Sequence, residues 1–149
     1  DISGIDRLGQ NDPNSMEAKV APVIGPVEVA TLNHHGNRNS MNSFFVTCLR
    51  PQVWIQQTWS ADHPGAEVLR RITSKELYPG ERDLFTNALL IANRLVLGNS
   101  VEKLYKSLSG HILVRVYPGG DAFSVFILDD KSSRREVKAQ YDYVSEISR

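Results

Sequence analysis

Val27-Glu28-Val29-Ala30-Thr31-Leu32-Asn33-His34-His35-Gly36-Asn37 is the stretch on which the reading of this chain turns. Its apolar residues alternate in the period of a strand with one covered face, and the run ends in two imidazoles and a glycine. In α/β folds, ligands and metals collect in the crevice outside the carboxyl ends of the strands. A strand ending in His-His-Gly therefore places candidate ligating groups where such a site belongs. Neighbouring strand residues point to opposite faces, so His34 and His35 can serve one site only if the chain has already turned out of the strand. Gly36 is the residue expected where the backbone turns sharply beside a site. The competing reading of the pair is one core histidine and one surface histidine.

Working outward, residues 1–15 read as a polar loop and Met16 to Val20 as a short helical turn. Pro22, Gly25 and Pro26 then reset the chain into a strand from Val27 to Asn33. Beyond the histidines, Ser40 is a candidate cap for a helix with Phe44, Phe45, Cys48 and Leu49 on one face, stopped by Pro51. Gln52 to Trp59 reads as a second strand, with Trp54 and Trp59 as packing residues. His63-Pro64 opens another helix, because proline suits the first helical position and leaves His63 as its cap. Asp83 to Thr86 is a short strand. Asn87 to Leu97 reads as a buried apolar helix, and Ser100 to Leu108 as an amphipathic one. His111 to Tyr117 and Ala122 to Leu128 form a hairpin around Pro118-Gly119-Gly120-Asp121, and the alternation through Val137, Ala139, Tyr141 and Tyr143 marks a last strand. This order predicts an α/β fold in which helices cover a mixed sheet.

The 149 residues, 41% of them hydrophobic, suffice for one domain over 1–149 with a real core. Seventeen basic and seventeen acidic residues cancel, so no global field draws nucleic acid or an anionic membrane. A locally basic groove stays compatible with that balance. No apolar run reaches bilayer-spanning length and no signal-peptide pattern opens the chain. Cys48 is the single cysteine, which excludes an internal disulfide and a cysteine-based zinc site. Arg70-Arg71 and Arg134-Arg135 read as solvated faces.

The run Val27 to Asn37, the segment Phe44-Phe45…Leu49-Arg50-Pro51-Gln52-Val53-Trp54-Ile55 and the closing Asp62-His63-Pro64-Gly65 together resemble the second half of a metallo-β-lactamase-fold hydrolase. The resemblance is to the ComEC-like branch, with its His-His-Gly strand end and later His-Pro, and it is specific over Asp1 to Ile72. It implies one αβ half of an αββα sandwich. It also implies that Asp1, in Asp1-Ile2-Ser3-Gly4, corresponds to the aspartate that bridges two metal ions, and that one of His34 and His35 is a metal ligand while the other orients it. His63 would stand at the rim as a catalytic group, touching a phosphate or giving a proton to a leaving group. The ions implied are zinc or manganese. The family's His-x-His-x-Asp-His motif is absent from this chain, and Asn37 stands where the family has serine.

The expectation that follows is a C-terminal portion of a metal-dependent hydrolase acting on a phosphodiester or related ester, weak in metal binding by itself. Its partner would be the missing N-terminal half, with a second copy of the chain as another way to cover an open sheet face. A non-catalytic interaction module on the same scaffold is the alternative.

Overall fold

The computed structural model describes residues 2–147. Two sheets form. The first is parallel and four-stranded, β1 (Val29–Thr31), β2 (Val53–Gln56), β3 (Asp83–Thr86) and β4 (Tyr105–Ser107), in the spatial order 1-2-3-4. The second is antiparallel, β5 (His111–Val116), β6 (Ala122–Leu128) and β7 (Val137–Val144), in the order 5-6-7. The helices are α1 (Met16–Ile24), α2 (Ser43–Leu49), α3 (Ala66–Thr73) and α4 (Ile91–Leu97). The α/β class expected from the element order is the one the chain adopts, with its parallel and antiparallel strands sorted into separate sheets.

Side-chain alternation sets the layers. On β2, Trp54 points to the helices with Phe45, Val46 and Leu49 of α2 and Val68, Leu69 and Ile72 of α3. Val53 and Ile55 point the other way, with Phe85 of β3, into a second core made with Phe123, Val125 and Ile127 of β6. All four β2 residues are buried, as a strand covered on both faces requires. The sheet face expected to lie open for a partner is therefore covered by the chain's own hairpin and last strand. Tyr143 ties the layers by donating to Asp83 Oδ2 at 2.8 Å, its ring stacked on Phe123.

Several local expectations are corrected. The helix after the histidines is capped by Asn42, whose side chain accepts from Phe45 N, and not by Ser40, which is buried against the carbonyls of Asn33 and Asn37. Tyr105 to Ser107 pairs with β3 as a strand, preceded by a 3-10 turn over Asn99–Leu104, because its backbone completes the parallel sheet edge. In α4 the burial is inverted: Asn93 is buried while Ile91, Leu95 and Val96 are exposed. Among the described residues no helix is long and apolar enough to cross a membrane.

Candidate functional site

The carboxyl ends of β1 and β2 carry the three histidines of interest. The chain leaves β1 at Thr31 and enters a tight turn over Asn33–Gly36. His34 (φ 47°, ψ 42°), His35 (φ 55°, ψ 16°) and Gly36 (φ 82°) follow one another in left-handed conformation. Each non-glycine residue held there costs about 1–2 kcal/mol, so the surroundings must enforce the turn. Its effect is to bring both imidazoles to the same place. Their ring centroids lie 5.8 Å (His34) and 5.7 Å (His35) from that of His63, which arrives from the loop after β2. The condition for both histidines to serve one site, that the strand has already ended, is met.

Hydrogen bonds fix the two rings. His35 Nδ1 lies 2.9 Å from the carbonyl of Gln57. A carbonyl only accepts, so this nitrogen carries a proton, and in the neutral ring Nε2 is then the atom with the lone pair. His34 Nδ1 stands 2.9 Å from Asn39 Oδ1 in the same relation. A ring tied at Nδ1 with Nε2 left open is the arrangement of a ligating histidine and its orienting partner. The indole of Trp59 stacks on His35 at 6.0 Å and is 74% exposed, where the sequence pattern had pointed to a packing residue. It lies beyond β2, so strand alternation does not bury it.

His63 has a different setting. It is buried, and its Nε2 accepts from Asn37 Nδ2 at 2.7 Å, with Ser60 Oγ 3.3 Å from Nδ1. Burial lowers its pKa, opposed by the Asp62 carboxylate 4.0 Å away and reinforced by His34 and His35. The neutral imidazole is therefore the form this site favours. His63 does not cap α3, contrary to the expectation. Gly65, in extended conformation, is the cap, and its carbonyl accepts from Val68 and Leu69. The His63-Pro64 peptide bond is cis. Two buried amides hold this loop: Gln56 Nε2 donates to the His63 carbonyl at 2.7 Å, and Asn93 Nδ2 donates to the carbonyls of Ser60, Ala61 and His63 at 2.8, 2.9 and 3.2 Å.

Beneath the histidine turn lies a clamp that sequence reasoning missed. Glu17 of α1 is fully buried, and its carboxylate accepts from Asn33 Nδ2 (2.8 Å), Met41 N (2.8 Å) and Asn42 N (2.7 Å). From α3, Arg71 donates to the carbonyls of Met41 (2.6 Å) and Ser40 (2.8 Å). The two charged groups grip both ends of the peptide units around Met41, itself at φ 58°. Arg71 is thus an internal tie rather than part of a solvated face, whereas Arg70 stays exposed. The available signal was Gly4: a Cβ there would fall 1.8 Å from Glu17 Oε2, so only glycine lets the N-terminal segment run over the carboxylate.

Asp1, assigned a bridging role by resemblance, lies outside the described residues. His34, His35 and His63 are brought together. His111 is not among them: it starts β5, where it is bonded to Arg135. Two Nε2 atoms without a hydrogen-bond partner among the described residues fit part of a zinc or manganese ligand set, which needs three protein ligands in a catalytic site and four in a structural one. Among the described residues no group of three or more His, Cys, Asp or Glu is placed to hold a metal ion. The fold and site define an α/β chain with a histidine cluster at the carboxyl ends of a parallel sheet. Compared with protein-family models, curated proteins and solved structures, the chain matches none.

Proposed function

We propose that this chain is part of a metal-dependent hydrolase of the metallo-β-lactamase superfamily, acting on a phosphodiester or related ester at a binuclear zinc or manganese centre. The observation that supports this reading is the state of His34 and His35, each tied at Nδ1 with Nε2 open, on a left-handed turn at the carboxyl ends of two parallel strands. Asp1 and ligands from beyond this chain would complete the shell. Divalent ions there would acidify a water molecule and polarise the ester bond. His34 and His35 hold their rings in register through Asn39 and the Gln57 carbonyl. His63, which burial keeps neutral and Asn37 holds at Nε2, would stand at the rim as a polar contact for the leaving group or a phosphate oxygen.

The test is zinc and manganese titration, with elemental analysis, of this chain and of the chain extended upstream, each with His34→Ala, His35→Ala and His63→Ala. The expected result is about two ions per extended chain, lost in part on replacing His34 or His35 and kept on replacing His63, whose replacement lowers phosphodiester turnover. An extended chain that takes up no metal refutes the proposal. That outcome favours an interaction module, for which the exposed apolar side chains of Ile91, Leu95 and Val96 on α4 are the supporting observation.

A further inference from the structure

A cleft of about 590 Å³ opens beside the histidine turn, with Arg7, Arg38 and Arg71 on its walls. Asn37 and Asn39 line it too, and their side chains are the ones bonded to His63 and His34. A ligand in this cleft therefore lies against the groups that position the imidazoles. Among the described residues, the guanidinium groups of Arg7 and Arg38 have neither a hydrogen-bond partner nor a carboxylate within 4.0 Å. By contrast, Arg70, Lys75, Arg94 and Lys106 each have an acidic partner.

The two acidic residues on the same walls are already engaged. Asp6 Oδ1 accepts from Leu8 N and Gln10 N, both at 2.8 Å, which shapes the turn that carries Arg7. Glu67 faces Arg70 at 3.9 Å. The walls thus hold three arginines against the carboxylates of Asp6 and Glu67, with Asp62 acting on Arg38 from outside the cleft, and Asn37 and Asn39 stand between these groups and the histidines. Gly65, at the start of α3, packs against Arg38: a Cβ there would meet Glu67 Oε2 at 3.3 Å and Arg38 Cα at 3.4 Å.

We propose that Arg7 and Arg38 form a phosphate subsite for the group next to the ester under attack, so that the preferred ligand carries at least two phosphates in succession. The proposal rests on the phosphodiester reading above and adds to it a requirement on substrate length. Guanidinium groups suit this role because their planar forks bind phosphate oxygens in pairs. Contacts to a neighbouring phosphate fix a ligand's register without reading its bases.

The experiment is metal-free fluorescence anisotropy with a dye-labelled, 5′-phosphorylated thymidine dinucleotide, competed by unlabelled dinucleotide, thymidine monophosphate, inorganic phosphate and citrate. The expected order puts the dinucleotide first, ahead of the monophosphate and free phosphate by about tenfold, with citrate weakest. The Arg7→Gln/Arg38→Gln double variant should lose about tenfold in affinity, with a salt dependence lower by about 0.7 per phosphate contact removed. Arg7→Lys/Arg38→Lys should fall between, because it keeps charge and loses the fork. Both arginines are exposed, so circular dichroism should show an unchanged fold. Wild-type protein that does not bind the probe, a double variant within twofold of it, or citrate competing as well as the dinucleotide would each overturn the subsite. Zinc uptake by the chain extended upstream is read separately: its absence while arginine-dependent binding persists sinks the hydrolase reading alone, and the converse sinks the subsite alone.

Discussion

Replacing Glu17 with glutamine tests whether the buried clamp enforces the histidine turn. Glu17 Oε1 takes two donors, from Asn33 and Met41, and Oε2 takes the Asn42 amide. Glutamine keeps the shape and one accepting oxygen, but sets an NH2 group against one set of donors. The best orientation retains the two bonds at Oε1 and opposes donor to donor at Asn42. Losing one charge-assisted bond to a buried amide and leaving that donor unmet costs about 2–3 kcal/mol. For a chain of this size that is a fall in Tm of about 4–12 °C. Urea unfolding by circular dichroism reads the stability. Nitrogen-detected NMR of the imidazoles reads whether His34 and His35 keep Nδ1 protonated. The expected pairing is a lower midpoint with altered His34 ring shifts, since Asn33 precedes His34 and is tied directly to Glu17. A Glu17→Gln protein within about 0.5 kcal/mol of wild type, the range of a neutral surface change, would refute the clamp.

Three further outcomes follow from the same geometry. The unfolded His63 titrates near its ordinary 6.5 and the folded one below it, so the unfolded state binds more protons between the two values. Stability from this group is complete above 6.5 and declines as pH falls through the folded value; His63→Gln should flatten the urea midpoint over that interval, and equal slopes in both proteins would contradict this. Asn93→Ala removes three bonds to the loop carrying His63 and one to Leu90 N, and should cost about 2–3 kcal/mol, part of the loss being made up by water. Urea unfolding reads that cost, and no loss would mean the loop is held otherwise. Trp59→Phe should change stability by less than about 0.5 kcal/mol while abolishing most iodide-quenchable fluorescence, because Trp54 is buried and bonded to Tyr78; undiminished quenching would place Trp59 elsewhere.

The sequence was most readable where a period and a turn signal coincide. The hairpin around Pro118-Gly119-Gly120-Asp121, the strand over Asp83–Thr86 and the alternating tail of β7 all stand where the pattern put them. It was least readable where apolar content and burial part company. The run Ile91-Ala92-Asn93-Arg94-Leu95-Val96-Leu97 looks buried by composition, yet the residue it buries is Asn93, whose side chain donates to three loop carbonyls. A hydropathy pattern cannot show which face of a short helix meets unpaired backbone groups.

The candidate site divides along the same line. His34 and His35 were singled out by their place at a strand's end and His63 by its place before a proline, with the resemblance to a hydrolase family's His-His-Gly and His-Pro supporting all three. Their convergence depends on three successive left-handed residues, on Asn37 reaching the loop after β2, and on Glu17 and Arg71 gripping residues 40–42 from two helices. Those ties join positions far apart in the chain, and no local propensity encodes them. Local sequence determined the strands, the breaks between them and the kinds of group available for chemistry, because periodicity and turn residues act over a few neighbours. Only the tertiary structure decided that the second sheet closes the open face and that the imidazoles share one place, because burial and hydrogen-bond satisfaction are settled between distant segments.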